Sequence, residues 1–496
     1  MLNMLKQAAN RALTENGAAT CATTGSDCLD LFASIGALRR ETDDEIIARF
    51  VRAYTENADL AMKLLFYARD IRGGLGERRV FRTVLTYLAK NEPKSVRKNL
   101  VYLAEYGRFD DLLSLLGTPC ENAMLHLVRK QFEADMECLE SDGSVSLLAK
   151  WLPSVNASSA ATIRNAKRIA RALGLRDCEY RRNLVRLRAR IRIIENNLRE
   201  RDYSFDYAKQ PSRAMLKYKH AFLRNDGARY SAYMADVLTG KAKLHADNVA
   251  PYELIAPYLR VNWYYEYNGF MRDISPEEKA ALNATWASLP DYGGDENVLA
   301  VVDTSGSMYS ALNPFAAAVA LSLGLYFAEH NRGVFKNHFI EFSAEPQLIE
   351  IKGETFADRL RYVSTFTQVA DTNLESVFDL ILRAAVEHHA RQEELPAKLI
   401  ILSDMEFNAC VHNASETNFN NAKKKFAAQG YRLPEIIFWN VASRNRHQPV
   451  TMDERGVALV SGVTPRLFSM IVGGALSPCA LMLDVLESDR YAPITA

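Results

Sequence analysis

The hydrophobic pattern of this chain changes period near residue 290, and that change limits its possible folds more than any other feature. Before it, apolar residues recur at helical spacing. Thr42-Asp43-Asp44-Glu45 reads as a capping box opening a helix with Ile46, Ile47, Phe50, Val51 and Tyr54 on one face. Further helices are predicted over about 60–67, 77–88, from Pro93 onward, and over 120–140, 158–173, 178–200, 212–223 and 227–239, with no convincing strands. Consecutive short amphipathic helices on short loops predict an α-solenoid, with repeats too degenerate to show a period.

Leu289-Pro290-Asp291-Tyr292-Gly293-Gly294-Asp295 then marks a domain boundary. Beyond it, short apolar runs alternate with helical stretches. The runs are Val298–Val302, His338–Phe342, Leu348–Ile351, Leu399–Leu402, Ile436–Trp439 and Val457–Val460, and the helices lie over Pro314–His330, about Asn373–His389 and around 423–426. This alternation predicts a doubly wound α/β domain whose ligand lies at the carboxyl ends of the strands. The expected fold is therefore α plus α/β, with a helical domain over 1–290 and an α/β domain over 291–496. At roughly 150 residues per domain, 496 residues are consistent with this division.

Residues 1–290 carry 44 Lys+Arg against 35 Asp+Glu, and residues 291–496 carry 17 against 25, so a net charge of +1 conceals +9 and −8. Opposite characters imply different partners. The 7 cysteines are scattered, without a C-x-x-C pair, which argues against a disulfide framework or a zinc ribbon and for a reducing compartment. The start, MLNMLKQAANRAL, lacks a secretory apolar region, and no apolar run approaches the ~18 residues of a membrane span. A cytoplasmic location and no membrane partner are expected.

Asp303-Thr304-Ser305-Gly306-Ser307 follows the first α/β strand. Its D-x-S-x-S spacing lets a carboxylate and two hydroxyls converge from one loop, as hard oxygen donors suited to Mg²⁺. Asp371-Thr372-Asn373 offers another hydroxyl, and Leu402-Ser403-Asp404-Met405 places a carboxylate at a second strand end. A D-x-D-x-T phosphatase is excluded because position 305 is Ser, where that chemistry needs a second carboxylate. VVDTSGSM, DTNL and LSDMEF together resemble the metal-ion-dependent adhesion site (MIDAS) of von Willebrand factor A domains, over about 295–490. The resemblance implies a Rossmann-like fold and one Mg²⁺ held by Asp303, Ser305, Ser307, Thr372 and Asp404.

In the first half, ADLAMKLLFYARDIRGGLGERRVFR, SLLAKWLPSVNAS and PSRAMLKYKHAFLRNDGARYSAY resemble an uncharacterised family that fuses a helical module to a C-terminal A domain. That family in turn resembles the Ro-type (TROVE) RNA-binding proteins. The resemblance implies HEAT-like helices and, as partners, small structured RNAs or single-stranded RNA ends in a ribonucleoprotein.

Independently, residues 164–192 hold eleven Lys+Arg against Asp177 and Glu179. Arg182, Arg186 and Arg190 are spaced i, i+4 on one helix face, which suits phosphate contacts, the alternative being a solvated face paired with acids elsewhere. Arg213 and Lys217, beside Tyr218 and Phe222, form a second basic segment, although two rings four apart are better read as the core face of a helix. Arg72, Arg78 and Arg79 flank Gly73-Gly74-Leu75-Gly76, either a phosphate-contacting loop or a tight helix–helix turn. No nucleophile–base constellation stands out, so a binding protein rather than an enzyme is expected. The alternative is a protein-interaction scaffold whose A domain grips an acidic residue of a partner protein through the metal.

Overall fold

The computed structural model describes residues 1–141, 143–191, 193–259, 272–309, 316–342, 345–366, 372–410, 416–471 and 476–496. The chain forms two compact units that are discontinuous in sequence. One comprises Met1–Thr42, Val51–Asn57 and Pro211–Ser488, and the other Asp43–Phe50, Ala58–Gln210 and Asp489–Ala496.

Among the described residues the first unit contains eight strands: β1 (Arg11–Leu13), β2 (Ala19–Cys21), β3 (Val298–Asp303), β4 (His338–Phe342), β5 (Gln347–Glu350), β6 (Lys398–Ser403), β7 (Glu435–Asn440) and β8 (Val457–Ser461). β1 and β2 pair antiparallel. The other six form one sheet in the order β5-β4-β3-β6-β7-β8, parallel throughout except for the β4–β5 hairpin. The predicted apolar runs are these six strands. β3, β6 and β8 are buried along their whole length, as strands covered on both faces are. Helix Ala316–His330 is so apolar that residues 316–328 are all buried. A Cβ on Gly324 would lie 2.3 Å from Val302 Cγ2, so this glycine lets the helix approach β3 closely.

β1 and β2 correct the expectation of no strands before residue 290. They have three residues each, too few for a periodicity reading to detect. The helices Ser212–Asn225, Gly227–Leu238, Pro251–Ile255 and Pro276–Ala287 also belong to this unit. Trp286 stacks on Phe356 at 3.7 Å between ring centres and donates to Glu329 at 2.9 Å, tying the last of them to the α/β segment. The compact units therefore do not follow the 290/291 line drawn from the change of pattern.

The second unit is helical. Ala58–Arg69, Arg79–Asn91, Pro93–Asn99, Glu121–Glu140, Ala160–Ala172, Asp177–Ile191 and Ile194–Glu200 are its longer helices. Phe66, Phe81, Val84, Leu85, Met124, Ile169 and Leu187 lie in its interior. The helix predicted over 178–200 is two: Ile193 is extended at φ −70°, ψ 142° and caps the second. Asp111 is fully buried and accepts from Arg69 Nε at 2.8 Å, Arg82 Nε at 2.6 Å and the Arg108 N–H at 2.9 Å.

Candidate functional site

The order of strands places β3 between β4 and β6, so the chain reverses its direction of travel across the sheet there. Ligand crevices of open α/β sheets form at such a reversal, outside the carboxyl ends of the strands. Asp303 ends β3 and Asp404 follows β6. Ser403 Oγ donates to Asp303 Oδ2 at 2.5 Å, which locks the two strand ends together. The Ser305 N–H donates to Asp303 Oδ1 at 2.9 Å, Ser305 Oγ lies 3.1 Å from Ser307 Oγ, and the Ser307 hydroxyl bonds Asp404. Asp303, Ser305, Ser307 and Asp404 thus converge. Thr372 is buried, and its carbonyl accepts from the Asn408 N–H at 2.8 Å on the loop after β6. Asn373 then caps the helix Leu374–Glu387 by accepting from the Ser376 N–H at 3.1 Å. Asp371 lies outside the described residues.

Both carboxylates are buried, at 1% and 3% exposure. Burial and then the charge of Asp404 hold the Asp303 carboxyl well above its usual range. Burial also raises Asp404, although Arg444 and the Ser307 hydroxyl favour its ionised form. Two neighbouring buried carboxylates with hydroxyls between them are a donor set short of positive charge, and a hard divalent cation would relieve that deficit. Among the described residues no group of three or more His, Cys, Asp or Glu side chains is placed to hold a metal. A cation here would instead rest on two carboxylates and three hydroxyls, a set that fits Mg²⁺ better than a softer metal.

Sequence reasoning missed the other wall of this crevice. The turn between β1 and β2 lies against it. Thr14 Oγ1 donates to the Phe407 carbonyl at 2.6 Å, and the Glu15 N–H to Glu406 Oε2 at 2.7 Å. Asn16 Nδ2 donates to the Glu406 carbonyl at 2.6 Å and to Thr372 Oγ1 at 3.2 Å. Glu406 is 1% exposed and also meets Asn445 Nδ2 at 2.8 Å and His447 Nε2 at 3.1 Å. Burial alone would raise its pKa, but these partners hold it below the usual range. Arg444 spans the crevice, with Nη2 2.9 Å from Asp404 Oδ2 and Nη1 2.8 Å from Glu15 Oε2. Met405, between the two acids, adopts φ +69°, a strained conformation for a side-chain-bearing residue.

The basic residues fall into different settings. Arg182 and Arg186 are exposed, and with Arg181 they line a groove of about 510 Å³ on the Asp177–Ile191 helix, together with Val155, Asp177, Cys178 and Val185. None of these three arginines has an ion pair among the described residues. A cavity of about 750 Å³ shares Arg181, Val155 and Val185 with that groove, and also meets Arg199, Phe205 and Lys209. Arg190 is otherwise occupied, donating to the Gly143 carbonyl at 3.1 Å. Arg188 is a structural pin, reaching the carbonyls of Ala149 and Leu152 and the Ser154 hydroxyl at 2.7–2.9 Å. Arg192 lies outside the described residues.

At the glycine loop, the Gly74 N–H donates to the Asp70 carbonyl, Leu75 to Tyr67 and Glu77 to Ala68. A Cβ on Gly74 would fall 2.0 Å from the Tyr67 carbonyl oxygen. The amides point inward, which is the geometry of a turn and not of a phosphate cradle. Arg72 donates to the Glu105 carbonyl, Arg79 pairs with Asp43 at 2.6 Å, and Arg78 is 4.0 Å from Asp110. Arg213 and Lys217 belong to the other compact unit. There Arg213 meets Glu253 at 3.3 Å, and the Lys217 ammonium lies 4.7 Å from the centre of the Tyr218 ring. Phe222 is buried, as a core-facing ring would be.

Two family models match the chain, each described as a domain of unknown function: DUF2828 over residues 14–126 and 163–291, and DUF7788 over 297–477. An uncharacterized protein of Acanthamoeba polyphaga mimivirus is 29% identical over 524 residues, spanning 98% of this chain and 89% of its own length. Among solved structures, the Ro (RSR) protein of Deinococcus radiodurans aligns over 93% of each chain at 12% identity, with a TM-score of 0.33. Among the described residues no helix is long and apolar enough to cross a membrane.

Proposed function

We propose that this chain is an RNA-binding protein of the Ro type, with an A-type α/β domain that holds Mg²⁺. The observation that carries the RNA reading is the groove on the Asp177–Ile191 helix. Arg181, Arg182 and Arg186 there face solvent without ion pairs among the described residues. Guanidinium groups along one helix face repel one another, Arg182 being answered only at longer range by Glu179, and a phosphate backbone offers the bidentate acceptors that would neutralise them. Phe205, in the adjoining cavity, gives a ring for a base to stack on. The partners are small structured RNA or single-stranded ends, in a cytoplasmic ribonucleoprotein.

The metal reading rests on Asp303, Ser305, Ser307, Thr372 and Asp404. Mg²⁺ bound there would supply an open coordination position to an acidic group, so the role is binding and not catalysis. The full-length protein purified at low salt is expected to carry nucleic acid, seen as a raised 260/280 absorbance ratio that falls with ribonuclease. It is also expected to shift the anisotropy of a labelled single-stranded RNA. A protein free of nucleic acid that leaves the RNA probe unmoved would replace this reading with the protein-interaction scaffold, the A domain gripping an acidic partner residue through the metal.

A further inference from the structure

The two carboxylates of the crevice need positive charge when no metal neutralises them, because an unpaired buried charge is costly. Arg444 supplies it from one side. Its two amino groups serve different acids: Nη2 reaches Asp404, at 2% side-chain exposure, and Nη1 reaches Glu15, at 45%. The Arg444 side chain is 38% exposed, a charge at the end of a long stem. Glu15 is held at several points. Its own N–H is bound by Glu406, its Oε1 accepts from Asn445 Nδ2 at 3.1 Å, and Thr14 and Asn16 anchor the turn on either side. A guanidinium and a divalent cation on the same Asp404 carboxylate repel each other. Glu15 is a second acceptor already within reach of the displaced group.

We propose that Arg444 is the resident counter-ion of this centre, held by both Asp404 and Glu15 in the metal-free protein and left on Glu15 alone when a divalent cation occupies Asp404. The turn between β1 and β2 is then a receiving station for the arginine, and the N-terminal segment takes part in setting metal affinity. This rests on the metal reading above.

Two single variants should move affinity in opposite directions. Arg444→Gln removes the competing charge and is expected to tighten Mg²⁺ binding by on the order of tenfold. Glu15→Gln removes the alternative acceptor, leaves Arg444 on Asp404, and is expected to weaken binding about threefold or more. The double variant should follow Arg444→Gln, because without the arginine Glu15 has nothing to receive. Arg444→Lys keeps the charge and should stay nearer wild type than Arg444→Gln. Isothermal titration of the full chain with Mg²⁺ alone reads all four, with circular dichroism confirming that each is folded.

A merely structural Arg444 predicts weaker binding in both single variants. If Arg444→Gln is unchanged or weaker, or Glu15→Gln binds more tightly, the counter-ion proposal is overturned. The metal reading then stands on the wild-type heat, provided Asp303→Ala abolishes it. Binding seen only in Arg444→Gln would support the proposal, the arginine then outcompeting the metal. Absence of binding in both wild type and Arg444→Gln removes the metal reading, and the counter-ion exchange with it.

Discussion

Replacing Arg181, Arg182 and Arg186 together with Gln tests the groove most directly. Gln keeps the helix propensity nearly unchanged, and all three side chains project from an exposed face, so the fold should survive. If each guanidinium neutralises one phosphate of a single strand, each lost contact lowers the slope of log K against log salt by ~0.7, about 2 in all. The affinity penalty is then roughly 100-fold at 0.1 M salt and shrinks to about tenfold at 0.3 M. Fluorescence anisotropy with a labelled single-stranded RNA across that range measures both quantities. The loss should be uniform across RNA sequences, since phosphate contacts carry no base information. Arg190→Gln is the internal control. Its guanidinium already serves the Gly143 carbonyl, so the slope should not change. An unchanged slope in the triple variant, or an equal loss at every salt concentration, would refute the phosphate contacts.

Other perturbations have equally definite outcomes. Asp303→Ala should abolish Mg²⁺ binding in calorimetry without unfolding the protein, because it also removes the repulsion with Asp404. Asp111→Ala strands the buried Arg69 and should cost about 3–5 kcal/mol by urea denaturation, whereas the partly exposed pair of Lys279 with Asp358 is worth under about 1 kcal/mol. Asp70 is fully buried and its pKa is lowered: burial opposes this, but Arg490 and the backbone amides of Arg72 and Gly73 outweigh it. Its contribution is therefore fully present above the unfolded carboxylate value of about 4 and is lost as pH falls below that toward the lowered folded value. Below about pH 4, melting temperature should fall with pH more steeply in wild type than in Asp70→Asn.

Much of the α/β segment was legible because its signals are local. Strands such as Val298–Asp303 and Lys398–Ser403 are buried on both faces and read as continuous apolar runs. The oxygen donors follow those strand ends directly, so their convergence could be anticipated from the order of elements. What stayed hidden depends on pairing between distant residues. Arg11–Leu13 becomes a strand only through Ala19–Cys21, and neither Glu15 nor Arg444 carries a motif. The arginine stripe shows the same limit. Spacing correctly placed Arg182 and Arg186 on an exposed face, but it had no means of showing that Arg190 is spent on a carbonyl across the fold. The boundary at 290 is drawn from the change of pattern alone. Compactness follows packing instead, which joins helices 212–287 to the sheet that comes after them.

The position of the N-terminal segment has a consequence for how the chain is made. Thr14 bonds a residue 393 positions later, and the Gly36 N–H bonds Ser461, 425 positions later. At roughly 5–20 residues per second, the first forty residues leave the ribosome about 20–80 s before their partners exist. Strands of three residues are too short to persist alone in that interval. The crevice around Asp303 and Asp404 therefore cannot be finished until residues as far as Arg444 and His447 have been synthesised, and a nascent chain that ends before them lacks the side chains that close it.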